Sequence, residues 1–411
     1  MERQKLIPHL FRTEFSKITS VLCKYLGIKH LQVAEDIASE TFLLAMETWP
    51  YNKIPPNPVA WLYTVAKNKA INYITRNNLY SRKILPGLKE NLDESNFEEI
   101  DLTEQNITDS QLQMLFALCH PALSVESQVA LSLRVLCGFG IEEIANAFLT
   151  NKETINKRLT RGKEKLREVN FQIEMPASNE IHTRLSSVLT TLYLLFNEGY
   201  YSESNDDIIR EELCLEAMRL MYLLIDNKQT NTPEVNALFS LMCFHASRFK
   251  ARKNKKGEII LYEDQDEALW NYELIAKGVY YLKEASAGDK LSKYHLEAGI
   301  GYWHTVKSDS KEKWENILQL YNHLLQLEYS PIAALNRTFA LSKVKSKEEA
   351  ITEAEKLKQE KNPFYFTLLG ELNSGINNLK ALENFKKARL LATTNFDKQV
   401  IQKRIDLLTE S

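Results

Sequence analysis

Hydrophobic and polar positions recur along most of this chain with the spacing of an α-helix. Apolar residues return every three or four positions, and the strict alternation that is typical of β-strands is nearly absent. Glycine and proline are few, at 13 and 11 of 411 residues, so helices are seldom interrupted. The pattern predicts an all-α protein whose first helices span roughly 9–26, 31–49 and 57–78.

The predicted helix in AEDIASETFLLAMETW, residues 34–49, has an unusual distribution of apolar side chains. At about 100° per residue, one face suits a hydrophobic core and carries Val33, Ile37, Thr41, Leu44, Ala45 and Thr48. The other face mixes polar and large apolar residues: Glu35, Asp36, Ser39, Glu40, Phe42, Leu43, Met46 and Glu47. Two explanations remain open: burial of the helix on both sides, or a docking surface for a partner that is both apolar and basic.

Composition divides the chain into four predicted segments. A helical block at 1–85 is followed at 86–110 by an acidic stretch in which Lys89 is the only basic residue. Such a stretch cannot bury enough apolar surface to order itself, which indicates a linker. A second helical block at 111–170 precedes a long amphipathic region at 171–411, where LKALENFKKARLLA resembles a tetratricopeptide-type helical hairpin.

The overall composition narrows the functional classes. The hydrophobic fraction of 44% is that of a globular protein, and the net charge of -2 with a pI of about 6.5 excludes a general polycation. A nucleic-acid contact must therefore come from a local basic patch. The five cysteines lack metal-ligand spacing and predict reduced core residues of a cytoplasmic protein, and neither a signal sequence nor a membrane span is predicted.

Motifs for catalysis or cofactor binding are not predicted. Neither a nucleophile–base set nor a glycine-rich phosphate loop stands out, so the sequence indicates a non-enzyme without cofactor or metal. The acidic run YEDQDEALW is interpreted as a helix start capped by Asp264 or Asp266, in preference to a metal site, because it lacks the spacing of a cation-binding loop.

The clearest chemical signal lies at 139–167, FGIEEIANAFLTNKETINKRLTRGKEKLR. A short helix at 141–148, a tight turn at 149–151 and a basic second helix from Lys152 predict a helix-turn-helix. The residues expected to contact base edges or phosphates are Lys152, Glu153, Thr154, Asn156, Lys157, Arg158, Arg161 and Lys163. The alternative is a solvated basic helix end favoured by the helix dipole.

Taken together, AEDIASETFLLAMETW, NPVAWLYTVAKNKAINYITR and the helix-turn-helix strongly resemble bacterial sigma factors of the extracytoplasmic-function type. The resemblance covers about residues 8–168 and includes the order of the blocks and the acidic linker. It implies two partners, core RNA polymerase and promoter DNA, and a role in transcription initiation. In the family the linker threads a positively charged polymerase channel; a plain flexible tether is the alternative.

The resemblance also implies roles for individual residues. The helix at 31–49 would dock on a basic coiled coil of the largest polymerase subunit through Asp36, Glu40, Phe42, Leu43, Met46 and Glu47. The loop YNKIPPN and the following helix would bind the minus-ten element, including a base flipped out of it, through Lys53, Ile54, Asn57, Trp61, Lys67, Asn68, Asn72 and Arg76. Trp61 fits a core position equally well.

The long C-terminal region resembles the tetratricopeptide-like extension of one sigma-factor subgroup, in stretches such as LYLLFNEGYY and SPIAALNRTFAL. Small Ala381 and Ala388 stand where the paired helices of such a hairpin approach closely. The resemblance implies that the extension modulates activity, either by masking the DNA-reading block or by supporting a productive polymerase complex. One alternative function is a helix-turn-helix regulator with a helical sensor that never joins polymerase; a more distant one is a peptide-binding adaptor scaffold.

Overall fold

Helices make up the regular structure of this protein, which confirms the all-α prediction. The structure is a computed structural model with eighteen α-helices and several short 3₁₀ or π segments, and the residues that it describes include no β-strand. These residues are 3–84, 100–148, 150–169, 172–201, 207–252, 260, 262–393 and 395–410. No helix within these ranges has both the length and the apolar character that crossing a bilayer requires. The chain divides into two compact units, Met1–Asn231 and Thr232–Ser411.

Nine of the described helices belong to the first unit. They are α1 Arg3–Leu26, α2 Leu31–Asn52, α3 Pro58–Ile84, α4 Glu104–Leu118, α5 Val125–Leu131, α6 Ile141–Ala147, α7 Lys152–Val169, α8 Ile181–Tyr201 and α9 Asp207–Asp226. Helix α1 packs against α2, α3 and α4 and buries Phe15, Ile18 and Leu22 completely. Because burial of one such side chain stabilises a fold by roughly 1.5–3 kcal/mol, α1 is the structural centre of this unit.

The start of α4 corrects one prediction, because this helix begins inside the stretch 86–110 that the sequence predicts to be a linker. Ile100 and Ile107 are each 6% exposed, so this end of the acidic stretch does contribute apolar surface to the core. The Asp101 carboxylate accepts two hydrogen bonds just ahead of the helix and stabilises its start. Residues 86–99 lie outside the described residues, so the linker prediction stays a prediction there.

The last two helices of the first unit, α8 and α9, pack against the helix-turn-helix block and the helices beside it. Three hydrogen bonds join them to that block: Arg184 Nη2 to Phe116 O at 2.7 Å, Thr191 Oγ1 to Gln128 Oε1 at 2.8 Å, and Arg219 Nη2 to Leu136 O at 2.8 Å. The units divide after Asn231, whereas the sequence predicts a break after residue 170. The difference arises because the apolar face of α8 packs against α4 and α5, which precede that break in the chain.

Nine further helices form the second unit. They are α10 Pro233–Ala246, α11 Tyr272–Ala285, α12 Lys293–Trp303, α13 Lys311–Leu327, α14 Pro331–Val344, α15 Lys347–Lys356, α16 Pro363–Asn373, α17 Asn378–Leu391 and α18 Asn395–Glu410. Ala381 and Ala388 are fully buried beside Phe385. A Cβ added at Gly370 of α16 would lie 2.7 Å from the Phe385 ring. The close helix approach predicted from the small residues is therefore confirmed.

Two smaller sequence predictions are also confirmed. The Asp266 carboxylate accepts a hydrogen bond from Ala268 N at 2.9 Å and caps the 3₁₀ turn Glu267–Leu269, so this part of the acidic run serves local structure. The five cysteines are free and buried, as expected of core residues.

Candidate docking and nucleic-acid surfaces

The outward face of α2 combines acids with exposed apolar side chains. Asp36, Glu40 and Glu47 are exposed, and between them Leu43 and Met46 leave 53% and 58% of their surface open to solvent. These positions share one side of the helix because they follow one another at three- and four-residue steps. The structure thus brings five of the six predicted docking residues together, on a surface suited to a partner that is apolar at its centre and basic around it.

Phe42 does not belong to this face, and its predicted role as an exposed anchor is wrong. Its side chain is 2% exposed and meets Phe11 of α1 edge-on, with ring centroids 5.0 Å apart. The buried stripe of α2 runs through Ala34, Ile37, Ala38, Thr41, Phe42, Ala45 and Trp49. Val33, Leu44 and Thr48, which the sequence predicts for the core face, are only half-buried. The helix is turned toward Phe42 because burying a phenyl ring removes more apolar surface from water than burying those smaller side chains.

Lys53, Ile54 and Asn57 lie at the connection between α2 and α3. Lys53 is exposed and has a left-handed φ of 66°, which is uncommon for a residue with a side chain. Ile54 is half-buried. Asn57 Oδ1 accepts a hydrogen bond from Ala60 N at 3.0 Å, so this side chain caps α3. Any contact of Asn57 with a nucleotide would have to leave that cap intact or replace it.

Trp61 lies partly in the core. Its ring meets that of Trp49 edge-on at a centroid distance of 5.4 Å, and Trp49 is only 5% exposed. Trp61 itself is half-buried. One edge of the indole therefore serves packing while the rest remains accessible, so the core role and a base contact are compatible.

Further along α3, the polar residues predicted to contact the minus-ten element form a surface stripe. Asn68, Asn72 and Arg76 are exposed and spaced four residues apart, which places them on one side of the helix. Lys67 is half-buried and lines a groove of about 420 Å³ whose other wall is residues 100–103. The predicted set is thus divided between an open face and the edge of a groove.

Tyr63 also lines that groove. Its hydroxyl donates a hydrogen bond to Glu14 Oε2 of α1 at 2.6 Å. Burial and this contact with Glu14 raise the pKa of Tyr63 above its ordinary value, so the hydroxyl stays protonated and keeps donating. The contact joins α3 to α1.

Helices α6 and α7 form the predicted helix-turn-helix. Ala145 of α6 is 2% exposed and Ile155 of α7 is fully buried, which brings the two helices together. Thr150 N donates to Ala145 O at 2.9 Å and closes the turn. Asn151 Oδ1 accepts a hydrogen bond from Thr154 N at 2.7 Å and caps α7.

Gly162 is a structural residue of this motif that the sequence analysis missed. A Cβ at this position would lie 2.7 Å from Leu131 Cδ1, so α7 crosses α5 too closely for a larger residue without local movement. Glycine in a helix interior costs about 1 kcal/mol relative to alanine, so its presence there was a signal of close packing.

The first turns of α7 present most of the predicted DNA contacts to solvent. The exposed members are Lys152, Glu153, Asn156, Lys157 and Arg161, and the half-buried ones are Thr154 and Arg158. Lys152 Nζ lies 3.0 Å from Glu142 Oε2, and Lys157 Nζ lies 2.7 Å from Glu153 Oε1. Exposed ion pairs of this kind contribute only about 0–1 kcal/mol, so DNA phosphates can replace them.

Lys163 departs from this group. Its ammonium donates to Glu35 Oε2 at 2.5 Å and to Gln32 Oε1 at 2.7 Å, both on α2, and its side chain is 15% exposed. The predicted phosphate contact is therefore not available in this structure. The sequence spacing places Lys163 beside the buried face of α7, but only the tertiary fold supplies its partners.

Comparisons with known proteins match three parts of this chain to described families. Residues 10–79 match the family described as Sigma-70 region 2, and residues 113–166 match Sigma-70, region 4. Residues 184–286 match a family of unknown function, DUF6596. The first match covers α2 and most of α3, and the second covers α6 and most of α7.

Two relatives and the solved structures complete the comparison. Uncharacterized protein R00370 of Rhizobium meliloti (strain 1021) is 31% identical over 385 residues, which cover 92% of this chain and 91% of that protein. The ECF RNA polymerase sigma-E factor of Haemophilus influenzae (strain ATCC 51907 / DSM 11121 / KW20 / Rd) is 26% identical over 153 residues, or 36% of this chain and 79% of that factor. No solved structure matches the chain.

Proposed function

We propose that this chain, whose matches to regions 2 and 4 place it in the sigma-70 family, acts as an extracytoplasmic-function sigma factor controlled by its own helical extension. Its partners are core RNA polymerase and promoter DNA, and it is an initiation factor and not a catalytic enzyme. The individual contacts and the role of the extension are the parts that the proposal adds.

One observation carries the docking part of the proposal. The exposed face of α2 sets Leu43 and Met46 among Asp36, Glu40 and Glu47. Apolar anchors desolvated at the centre of an interface supply most of its binding free energy, while charges at the rim steer the partner and exclude others. A basic coiled coil of the largest polymerase subunit, the family's docking partner, has the complementary chemistry.

Two surfaces support the promoter part. The exposed first turns of α7, around Asn156 and Lys157, fit a recognition helix in the major groove. The stripe Asn68, Asn72 and Arg76 on α3 fits single-stranded DNA near the minus-ten element, where polar and basic groups follow the backbone. The two surfaces would recognise the two promoter elements.

Asp36→Arg tests the docking proposal. Reversing one rim charge should weaken binding to core polymerase about tenfold or more, because the new arginine faces a basic partner. Glu168→Arg, at an exposed position near the end of α7, introduces the same change in charge away from the docking face and should leave the affinity unchanged. Affinity is measured by titrating labelled protein with core polymerase.

Equal affinities of the two variants would contradict docking through α2. If the unaltered protein then also bound promoter duplex tightly without polymerase, the alternative of an independent helix-turn-helix regulator would be favoured. A sigma factor of this type should instead bind duplex poorly until core polymerase is present.

The proposal for the extension is that it supports a productive polymerase complex. Its clean test ends the chain after Asn231, where the two compact units divide. Ending the chain near residue 175 would also remove α8 and α9 and expose the apolar surface that they cover on the helix-turn-helix block. Such a product would report on damage to the DNA-reading block and not on control.

At matched occupancy of core polymerase, the chain ending at Asn231 should still bind core but give less transcript from a cognate promoter than the full-length protein. More transcript from the shortened chain would overturn the proposal and favour masking. Equal transcript would mean that residues 232–411 serve some other partner.

A further inference from the structure

The second unit contains basic side chains that are buried against aromatic rings and neutral oxygens. Lys313 of α13 is 1% exposed, and its ammonium donates to the Tyr262 hydroxyl at 3.0 Å and to the Val306 carbonyl. Lys307, in the connection between α12 and α13, donates to the Gln265 carbonyl. Within the described part of the chain, neither of these two ammonium groups has a carboxylate at ion-pair distance.

Two further cations lie around the same aromatic rings. The Arg248 guanidinium carbon is 5.6 Å from the centroid of the Tyr262 ring, and Lys313 Nζ is 5.2 Å from it. Lys343 Nζ of α14 is 5.6 Å from the centroid of the Trp314 ring, and Lys313 Nζ is 5.7 Å from it. An aromatic face attracts a cation but does not neutralise its charge. We call these four residues the cation cluster: Arg248, Lys307, Lys313 and Lys343.

Nearby carboxylates balance only part of the positive charge of the cation cluster. Asp309 accepts a hydrogen bond from Trp314 Nε1, and its Oδ2 lies 3.4 Å from Lys343 Nζ, but most of its side chain is exposed to water. Glu267 acts electrostatically on the Tyr262 hydroxyl and is exposed as well. Four cations and these two carboxylates therefore leave an excess of positive charge at this site.

The fold brings these like charges together at an energetic cost. Burial lowers the pKa of the Lys313 ammonium, and the other members of the cation cluster lower it further, although Asp309 opposes them. Burial and the nearby Arg248 and Lys313 lower the pKa of His304 to about 3, so this neighbouring imidazole is uncharged near neutral pH. A buried cation without a carboxylate is destabilising, and groups held in this way are characteristic of binding sites.

Two buried polar atoms beside Lys307 have no partner among the described residues. Lys307 Nζ lies 5.9 Å from the ring centroid of Trp270, which is 4% exposed and whose Nε1 makes no hydrogen bond there. Gln265, whose carbonyl accepts from Lys307, is 6% exposed, and its Oε1 accepts none there. Since buried polar groups are normally hydrogen-bonded, these atoms suit a ligand that offers both an acceptor and a donor.

The cation cluster reaches solvent through two of its members. Lys307 is half-buried, and 33% of the Lys343 side chain is exposed. An ammonium has three N–H donors, and Lys307 uses one of them on the Gln265 carbonyl. An anion can therefore reach Lys307 and Lys343 from water, while the buried Lys313 and Arg248 strengthen the positive potential beneath it.

We propose that the cation cluster is a binding site for a small phosphate monoester. Such a group has a charge of about −1.5 to −2 at pH 7 and three strong acceptor oxygens, which suit an excess of several cations better than a single carboxylate does. A diester phosphate in DNA has one charge and a bulky backbone on either side, whereas the innermost ammonium of the cluster is 1% exposed. This site goes beyond the proposed sigma-factor function, and its binding does not depend on that function.

The test is calorimetric titration of the full-length protein with glycerol 3-phosphate at constant ionic strength. The unaltered protein should bind it saturably, with a Kd below about 1 mM. Lys307→Gln and Lys343→Gln should each weaken binding about tenfold, the loss expected for one charge-assisted hydrogen bond. Lys311→Gln is the matched control, because it makes the same change in charge at a side chain of α13 that is 71% exposed, and it should bind as the unaltered protein does.

Several outcomes would overturn the proposal. They are the absence of saturable binding, equal affinities in the three variants, and binding of a DNA duplex that Lys307→Gln weakens while glycerol 3-phosphate does not bind. Inorganic phosphate distinguishes the sources of the ligand. Equal affinity for it would support a site for the phosphoryl group alone, and a lower affinity would support a site that also contacts the organic part of the ester.

Thermal unfolding gives a second measurement and checks that each variant folds cooperatively. A ligand that binds only the folded state raises the Tm. Glycerol 3-phosphate, compared with sodium chloride at equal ionic strength, should raise the Tm of the unaltered protein and of Lys311→Gln more than that of Lys307→Gln. An equal rise in all three would indicate a general salt effect and overturn the proposal. Polymerase is absent from these measurements, so their failure is distinguishable from failure of the Asp36→Arg test of function.

Discussion

Helices α2 and α7, for which we propose docking on polymerase and recognition of DNA, lie in the same unit, yet the faces of α7 are much easier to predict from sequence. Helix α7 has one apolar stripe, and its remaining positions are almost all polar or charged. Helix α2 carries apolar residues around most of its circumference, so several stripes compete for the core. The comparison teaches that a hydrophobic pattern fixes the orientation of a helix only when the opposite face is polar.

Among the variants of α2 and α7, Phe42→Ala should give the largest loss in the free energy of unfolding. Removing a buried phenyl ring leaves a cavity against Phe11, which costs about 3–5 kcal/mol of unfolding free energy. Chemical denaturation of the full-length protein measures the loss. A stability unchanged within about 0.5 kcal/mol would contradict the burial of Phe42 and restore it to the docking face.

Leu43→Ala tests the exposed face of the same helix. Leu43 is 53% exposed, so its truncation should leave stability nearly unchanged but weaken binding to core polymerase by about 2 kcal/mol if it is an interface anchor. Leu407→Ala, at a position 59% exposed in α18, is the matched control for loss of a surface leucine. Equal core affinities of the two variants would show that Leu43 is not an anchor.

On α7, two substitutions distinguish a loss of base preference from a loss of affinity for DNA of any sequence. Asn156→Ala in the first turns should relax base preference in the upstream promoter element at a cost of about 1–3 kcal/mol. Arg161→Ala, five residues later in the same helix, should weaken binding to all sequences alike and flatten the salt dependence by about one phosphate contact. Binding of the polymerase complex to a panel of promoter variants separates the two. A uniform loss for Asn156→Ala would contradict its assignment to base contact.

Sequence alone predicted those features that depend on neighbours close along the chain. The helix-turn-helix, the cap at Asp266 and the close approach at Ala381 follow from local spacing and residue size, and the structure confirms them. The exposed acids of α2 were also predicted, because charged side chains avoid burial without a partner.

The features that sequence did not predict depend on distant partners. Burial of Phe42 requires Phe11, and the engagement of Lys163 requires Glu35, which lies 128 residues away in the chain. Glu35 was predicted to be exposed because a lone carboxylate favours water; with two cations beside it, burial becomes tolerable. The pattern of one helix contains no information about which other helix will cover it.

Glu142→Gln should give the smallest loss in the free energy of unfolding, because the ion pair that it removes is exposed to solvent. The neighbouring Glu143 provides the contrast, since its carboxylate has two partners in the fold. Glu142 and Lys152 are mostly exposed and 3.0 Å apart, so losing the pair should change the free energy of unfolding by less than about 1 kcal/mol. Its neighbour Glu143 accepts a hydrogen bond from Gly140 N at 2.6 Å and also contacts Arg12, so Glu143→Gln should cost more. Chemical denaturation curves of both variants measure their losses in the free energy of unfolding. A larger loss for Glu142→Gln would mean that the exposed pair, and not the cap, holds α6 in place.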